Sequence, residues 1–244
     1  MDGPPRTLAQ HLGLALPLRV VSLGALVALG GCNGAAERTG GPGTLRIYLA
    51  RHGETDWNAQ RRLQGGTDVP LNGKGRAQAA ALAARLDGVK LDAIYSSTLA
   101  RSRETARALD GVAPIEALAG LAEQGLGKFE GAYLDGRDPA IEAEYSERTL
   151  DPDDALDGGE STLDHLERVR ATVEELRRRH PSGTILVIGH GGTNRLVLAV
   201  LLGLELPDIE RIRQSNDEVY AIDLAPGRPP MLWKLVPPEK LEDL

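Results

Sequence analysis

Hydrophobic positions in this chain gather into short aliphatic runs that alternate with stretches of helical spacing. Leu45 to Ala50 is one such run and Thr184 to Ile188 is another. Both are short and rich in aliphatic residues, which predicts buried strands. The first leads into Arg51-His52-Gly53-Glu54-Thr55 and the second into Gly189-His190-Gly191-Gly192-Thr193, and a helical pattern follows each. A short helix is expected over 55–62, and Asn72 can cap an alanine-rich helix over 74–86. A short strand over 91–95 ends in Ser96-Ser97-Thr98 and precedes a helix over 99–109. From Ser161 to His180 the apolar positions Leu163, Leu166, Val169, Val173 and Leu176 recur at helical spacing, and Pro181 and Gly183 close that helix. Further helices are expected over 139–148 and 193–202, and late strands near 218–224 and 231–236. The stretch 111–160 is less regular: 121–131 reads as a glycine-punctuated loop and 151–159 as an acidic surface loop. Strands alternating with helices predict an α/β fold, a three-layer sandwich with a mainly parallel central sheet flanked by helices, in one domain over 44–244.

Composition narrows the partners. Aromatic residues make up only 3%, so the core must come from Leu, Val, Ile and Ala. The net charge of -7 argues against a nucleic-acid backbone as partner. The single cysteine, Cys32, excludes an intramolecular disulfide and a cysteine-rich metal site. It ends an apolar stretch over 20–31 that follows Arg6 and Arg19 and contains no acid. The stretch is too short and glycine-rich for a membrane span and has the layout of a secretory signal. Leu29-Gly30-Gly31-Cys32 also resembles the lipobox of bacterial lipoproteins. That resemblance implies loss of residues 1–31, acylation of Cys32 and a flexible tether over 32–43. The expected location is then extracytoplasmic, with membrane contact only through the lipid anchor. The alternative is a cytoplasmic chain with an overlong start.

The chemistry lies in the residues that follow the strands. Strand, glycine turn and helix build an anion site at the carboxyl ends of an open sheet, where free N–H groups and the positive helix end converge. Arg51 and Arg101 can hold phosphate oxygens with a charge that does not titrate away. His52 can attack phosphorus through a neutral ring nitrogen, provided its other nitrogen donates to a partner such as a backbone carbonyl. His190 would be a second donor, and Thr55 and Asn58 could add polar contacts. Glu123 is the best candidate for the acid, with burial beside phosphate expected to raise its proton affinity. No pair of acids and histidines has ligand spacing, so no metal site is expected. His11, His165 and His180 carry no supporting context and read as structural or exposed.

Arg51-His52-Gly53-Glu54-Thr55-x-x-Asn58 resembles the R-H-G-x-T-x-x-N signature of the histidine phosphatase superfamily, also called phosphoglycerate mutase-like. Gln64-Gly65 continues the match, followed by Ser97-x-Leu99-x-Arg101-x-x-x-Thr105-Ala106. Glu123-x-x-x-Gly127-x-x-Glu130-Gly131, Gly159-Glu160-Ser161 and His190-Gly191-Gly192 complete it, in family order over roughly 45–225. The resemblance implies His52 as nucleophile, Glu123 as general acid and then base, and Arg51, Asn58, Arg101 and His190 as phosphate ligands. It also places Thr55, Gln64, Gly65 and Gly191 at the substrate, and implies no cofactor. Cofactor-dependent mutases carry E-R-H-Y-G where this chain has Glu123-Gln124-Gly125-Leu126-Gly127. Lys128-Phe129 stands where an acid and a tryptophan are common. The expectation is a phosphomonoesterase acting on a small phosphorylated substrate. A phosphoglycerate mutase-type transferase and a phospholigand-binding protein without turnover remain as alternatives.

Overall fold

In the computed structural model the described residues are 42–209 and 211–235. The expected signal, Cys32 and all but the end of the tether lie outside them. Among the described residues no helix is long and apolar enough to cross a membrane.

A six-stranded mixed sheet organises the chain in the order β3-β2-β4-β1-β5-β6. Its centre is β1 (Leu45–Arg51) beside β4 (Gly183–Gly189), paired in parallel over their full length. β2 (Ala93–Ser97) continues in parallel on β4, and β3 (Ile115–Leu118) on β2. β5 (Val219–Leu224) runs antiparallel to β1, and β6 (Met231–Leu235) antiparallel to β5.

Alternation along the central strands builds the two faces. Leu45, Ile47 and Leu49 of β1 and Ile185 and Val187 of β4 face α5 (Thr162–Arg179) and α6 (Gly191–Leu202). Tyr48 and Ala50 of β1 and Leu186 and Ile188 of β4 face α2 (Gly73–Arg85) and α3 (Ala100–Arg107). This is the expected three-layer α/β sandwich. Caps set the helix starts: the Asn72 side chain accepts from the Gly75 N–H at 2.8 Å and the Ser161 hydroxyl from the Asp164 N–H at 3.1 Å. Two short helices, α1 (Asp56–Ala59) and α7 (Leu206–Ile209), and the more exposed α4 (Pro139–Arg148) complete the set.

The structure departs from expectation mainly between 111 and 160. β3 lies at the sheet edge with three of its four residues exposed, so no buried alternation marks it in the sequence. The acidic stretch 151–159 is not wholly a surface loop. Leu156 is 1% exposed and packs with Leu126 and Phe129, while Arg148 binds Asp154 and Asp157 above it. α6 begins at Gly191, two residues before the expected start, so the residue capping it is His190 itself. The short helix expected over 55–62 spans only Asp56–Ala59.

Leu156 therefore ties the irregular segment together, as part of a small apolar cluster with Leu126 and Phe129. Leu156→Ala is expected to lower unfolding stability by about 2–4 kcal/mol through lost burial and the cavity left behind, read by denaturant titration.

Candidate active site

Parallel pairing of β1 and β4 brings the two histidines together. Arg51 is in register with Gly189, and the His52 N–H donates to the Gly189 carbonyl at 3.0 Å. The next residue of each strand is a histidine, and their ring centroids lie 5.0 Å apart. The His52 Nδ1 lies 2.7 Å from the Gly53 carbonyl. A carbonyl only accepts, so Nδ1 carries the proton and Nε2 keeps its lone pair. Asn216 holds this turn from behind by donating to the His52 carbonyl at 2.6 Å, and Thr105 accepts from the Gly53 N–H at 3.0 Å. Burial, and then the charges of Arg51 and Arg101, push the His52 proton affinity well below the histidine norm.

His190 differs from the expected free donor. Its Nδ1 accepts from the Arg101 Nε at 3.1 Å, which leaves Nε2–H to donate to the Ser97 hydroxyl at 2.7 Å. Burial and the His52 ring also keep it neutral.

Arg101 is 1% exposed, a buried guanidinium on α3. Besides His190 it donates to the carbonyls of Thr67 and Gly65, each at 2.8 Å. Gly65 has a φ of +53°, a conformation that suits glycine and turns its carbonyl to the arginine. Glu130 ties the same loop by accepting from the Gly66 N–H, the Leu126 N–H and the Thr67 hydroxyl. Arg51 donates Nη1 to the Gln214 carbonyl at 3.0 Å, while its Nε is buried without a hydrogen-bond partner among the described residues. The Gln64 side-chain oxygen is likewise buried and unpartnered. Burial lowers the proton affinity of both arginines, and neither forms a salt bridge among the described residues. Two desolvated cations with donors to offer make the floor of the site attractive to an oxyanion.

Glu123 closes the opposite side. Its Oε2 accepts from the Gly192 N–H at 2.9 Å and its Oε1 from the Thr193 N–H at 3.0 Å, at the start of α6. Gly192 permits this seat, since a Cβ there would stand 2.6 Å from the carboxylate. Burial raises its proton affinity, but His165, the Gly192 and Gln124 N–H groups and Arg101 outweigh it, so the carboxyl is held below the usual range. The free site thus presents Glu123 ionised, whereas the expected rise concerns the carboxyl beside bound phosphate.

Thr55 also corrects its expected place. Its hydroxyl and backbone N–H engage the Asn58 side chain in a capping box that starts α1, so the hydroxyl is not turned to a ligand. Asn58 uses its oxygen in that box, and its amide nitrogen is the group left to donate. Gly191 lies against Arg51, with 3.5 Å between its would-be Cβ and the guanidinium carbon. Ser97 and Thr105 belong to a matched sequence block, but Gln214 and Asn216 carried no signal. His165, read as structural or exposed, is 1% exposed and reaches Thr193 behind Glu123. Among the described residues no group of three or more His, Cys, Asp or Glu converges to hold a metal ion.

Residues 47–234 match the profile described as "Histidine phosphatase superfamily (branch 1)". The chain is 32% identical over 185 residues to "Probable phosphoglycerate mutase GpmB" of Shigella boydii, covering 73% of this chain and 85% of that protein. Among solved structures it resembles the alpha-ribazole phosphatase of Shigella flexneri, at a TM-score of 0.68 and 28% identity, covering 77% of this chain and 94% of that one. It also resembles the mycobacterial glucosyl-3-phosphoglycerate phosphatase solved with VO3, at a TM-score of 0.66 and 28% identity, covering 77% of this chain and 96% of that one. The family match, the mixed α/β sheet and the paired histidines agree: this chain belongs to the histidine phosphatase superfamily.

Proposed function

We propose that the protein is a metal-independent phosphomonoesterase that hydrolyses small phosphate esters through a phosphohistidine on His52. One observation carries this reading: the Nδ1–H of His52 is committed to the Gly53 carbonyl, leaving a neutral Nε2 beside the buried Arg101 and the partly buried Arg51, neither of which forms a salt bridge among the described residues.

In the first step Nε2 attacks phosphorus and the P–O ester bond breaks. Arg51 and Arg101 stabilise charge on the non-bridging oxygens, with Asn58 and the Gly191 N–H as further donors. The departing alkoxide takes a proton from Glu123. A phosphate dianion bound beside that carboxyl opposes its negative charge and drives the proton uptake that the free site resists. In the second step Glu123 removes a proton from water, the oxygen attacks phosphorus and the N–P bond breaks. His190 keeps Arg101 aligned through Nδ1 and packs against the His52 ring. The mutase alternative takes its support from the name of the Shigella boydii relative, but Gln124, Gly125 and Leu126 lack the Arg, His and Tyr of mutase acid loops. Gln124 instead donates to the Glu160 carbonyl at 2.8 Å and is used to hold its own loop.

The full chain is expected to release phosphate from p-nitrophenyl phosphate and from sugar and nucleotide monophosphates with chelator present. His52→Ala is expected to lower kcat by about 10³-fold or more. Release that chelator abolishes would contradict the metal-free mechanism, and phosphoglycerate interconversion without release would favour the mutase.

The depressed His52 proton affinity sets a direction for pH. The acid limb of kcat/KM, which reports the free enzyme, is expected below about pH 6.5, the ordinary histidine value. The unfolded chain protonates this histidine near that value while the native state resists. Its contribution to stability is therefore complete above pH 6.5 or so and lost as the pH falls toward the native value, which thermal melts between pH 7 and 5 would detect.

We also propose the lipid-anchored, extracytoplasmic location that the Leu29–Cys32 motif suggests. Expressed in a bacterium, the wild-type chain should incorporate labelled fatty acid and Cys32→Ser should not; equal labelling would count against the anchor.

A further inference from the structure

Behind Glu123 stands a buried histidine that the reaction above does not use. His165 lies on the inner face of α5, in helical register with Val169, Thr172 and Leu176. Its Nε2 is 3.1 Å from the Thr193 hydroxyl oxygen. That oxygen is 2.9 Å from the Ala122 carbonyl and 3.1 Å from the Glu123 Oε1. The Thr193 hydroxyl thus has three polar neighbours and one hydrogen. Ala122 and Glu123 can only accept. The arrangement is satisfied when His165 carries its proton on Nε2 and donates to the Thr193 oxygen, freeing the hydroxyl hydrogen for Ala122 and Glu123. A histidine protonated only on Nδ1 would leave three acceptors competing for that one hydrogen.

We propose that His165 is a positioning residue which, through the Thr193 hydroxyl, fixes the orientation of Glu123 and stabilises its carboxylate between the two proton transfers. This rests on the reading of Glu123 as the proton donor. Other charges also face that carboxyl. Arg51 reaches it from β1, Arg101 from α3, and the Tyr145 phenol from α4, with Arg195 of α6 beside Arg51 and Tyr145. His165 itself faces Glu123, His190 and the Arg168–Glu160 pair, whose N–O distance is 2.6 Å. The arginines act on the carboxyl by charge. The Gly192, Thr193 and Gln124 N–H groups and the Thr193 hydroxyl hydrogen-bond it directly, and of these only the hydroxyl touches His165.

The test compares two esters. An alkyl phosphate needs a proton for its leaving group, whereas p-nitrophenolate leaves without one. In the full chain, His165→Phe is expected to lower kcat on an alkyl phosphate by about tenfold, a fraction of what a general acid supplies, and on p-nitrophenyl phosphate by less than about threefold. A Thr193 hydroxyl that no longer accepts from His165 is less polarised and donates more weakly to the carboxylate, whose proton affinity rises. The alkaline limb of the alkyl phosphate profile should therefore move to higher pH. His165→Gln keeps an N–H within reach of Thr193 and should restore both rate and profile. Thr193→Val, which keeps the shape and removes the hydroxyl, should reproduce the loss and gives an answer even if His165→Phe does not fold. Equal losses on the two esters with an unmoved limb, or unchanged kinetics in folded His165→Phe or Thr193→Val, would overturn the proposal. Glu123→Gln separates the two readings: a selective loss on the alkyl phosphate upholds Glu123 as the acid whatever His165 does, and no selective loss removes the reading on which this inference stands.

Discussion

The site depends on one pairing, the parallel register of β1 against β4. Because the two strands run the same way and end level, each delivers its histidine to the same edge of the sheet, and the His52 N–H to Gly189 carbonyl bond extends the ladder one residue into the site. Antiparallel neighbours would carry the two residues to opposite ends. Helices start immediately beyond, as they must in a crossover fold, so N–H groups of α6 arrive at the same place. β2 lies beside β4 and ends at Ser97, which is why Arg101 and the Ser97 hydroxyl reach His190.

Charge explains what this geometry is for. Desolvating a guanidinium costs several kcal/mol unless a partner compensates, and here Arg101 is buried and Arg51 partly so, neither with a salt bridge among the described residues. Their donors go mainly to neutral carbonyls and a neutral imidazole, which hold direction without cancelling charge. Burial, and then the same field, keeps His52 unprotonated, as the proposed nucleophile must be. Glu123 is drawn onto the start of α6 by the same positive surroundings. In the proposed reaction, substrate phosphate and the carboxylate compete for that electropositive region, and the competition gives the acid its proton.

Much of this was legible in the chain. The β1 and β4 runs are aliphatic because both faces are covered, and the residues after them stand at the positions where an open α/β sheet gathers its ligands. The long helix α5 declared itself by its spacing and its Ser161 cap. What was missed had a physical reason. β3 is an exposed edge strand and shows no burial pattern. Leu156 is a lone apolar residue in an acidic stretch, and a single residue has no period. His165 falls on the apolar face of α5, but a polar residue at such a position shows its purpose only when the partner helix is known, here Thr193 of α6. Gln214 and Asn216 act through backbone carbonyls of distant segments, contacts that no local pattern records. The raised proton affinity expected of Glu123 referred to the carboxyl beside phosphate; that the free carboxyl sits on a helix N-terminus, which lowers it, is a tertiary feature.

The central claim is that phosphoryl transfer passes through the free nitrogen of His52. It is tested most directly by acid-free rapid quench of the enzyme with radiolabelled phosphate ester, followed by peptide mapping. The account predicts label that is stable in base and labile in acid, attached through Nε2 of His52 on the 51–55 peptide. Label on His190 or on a hydroxyl residue, or the absence of any phosphoenzyme in an enzyme that turns over, would contradict it.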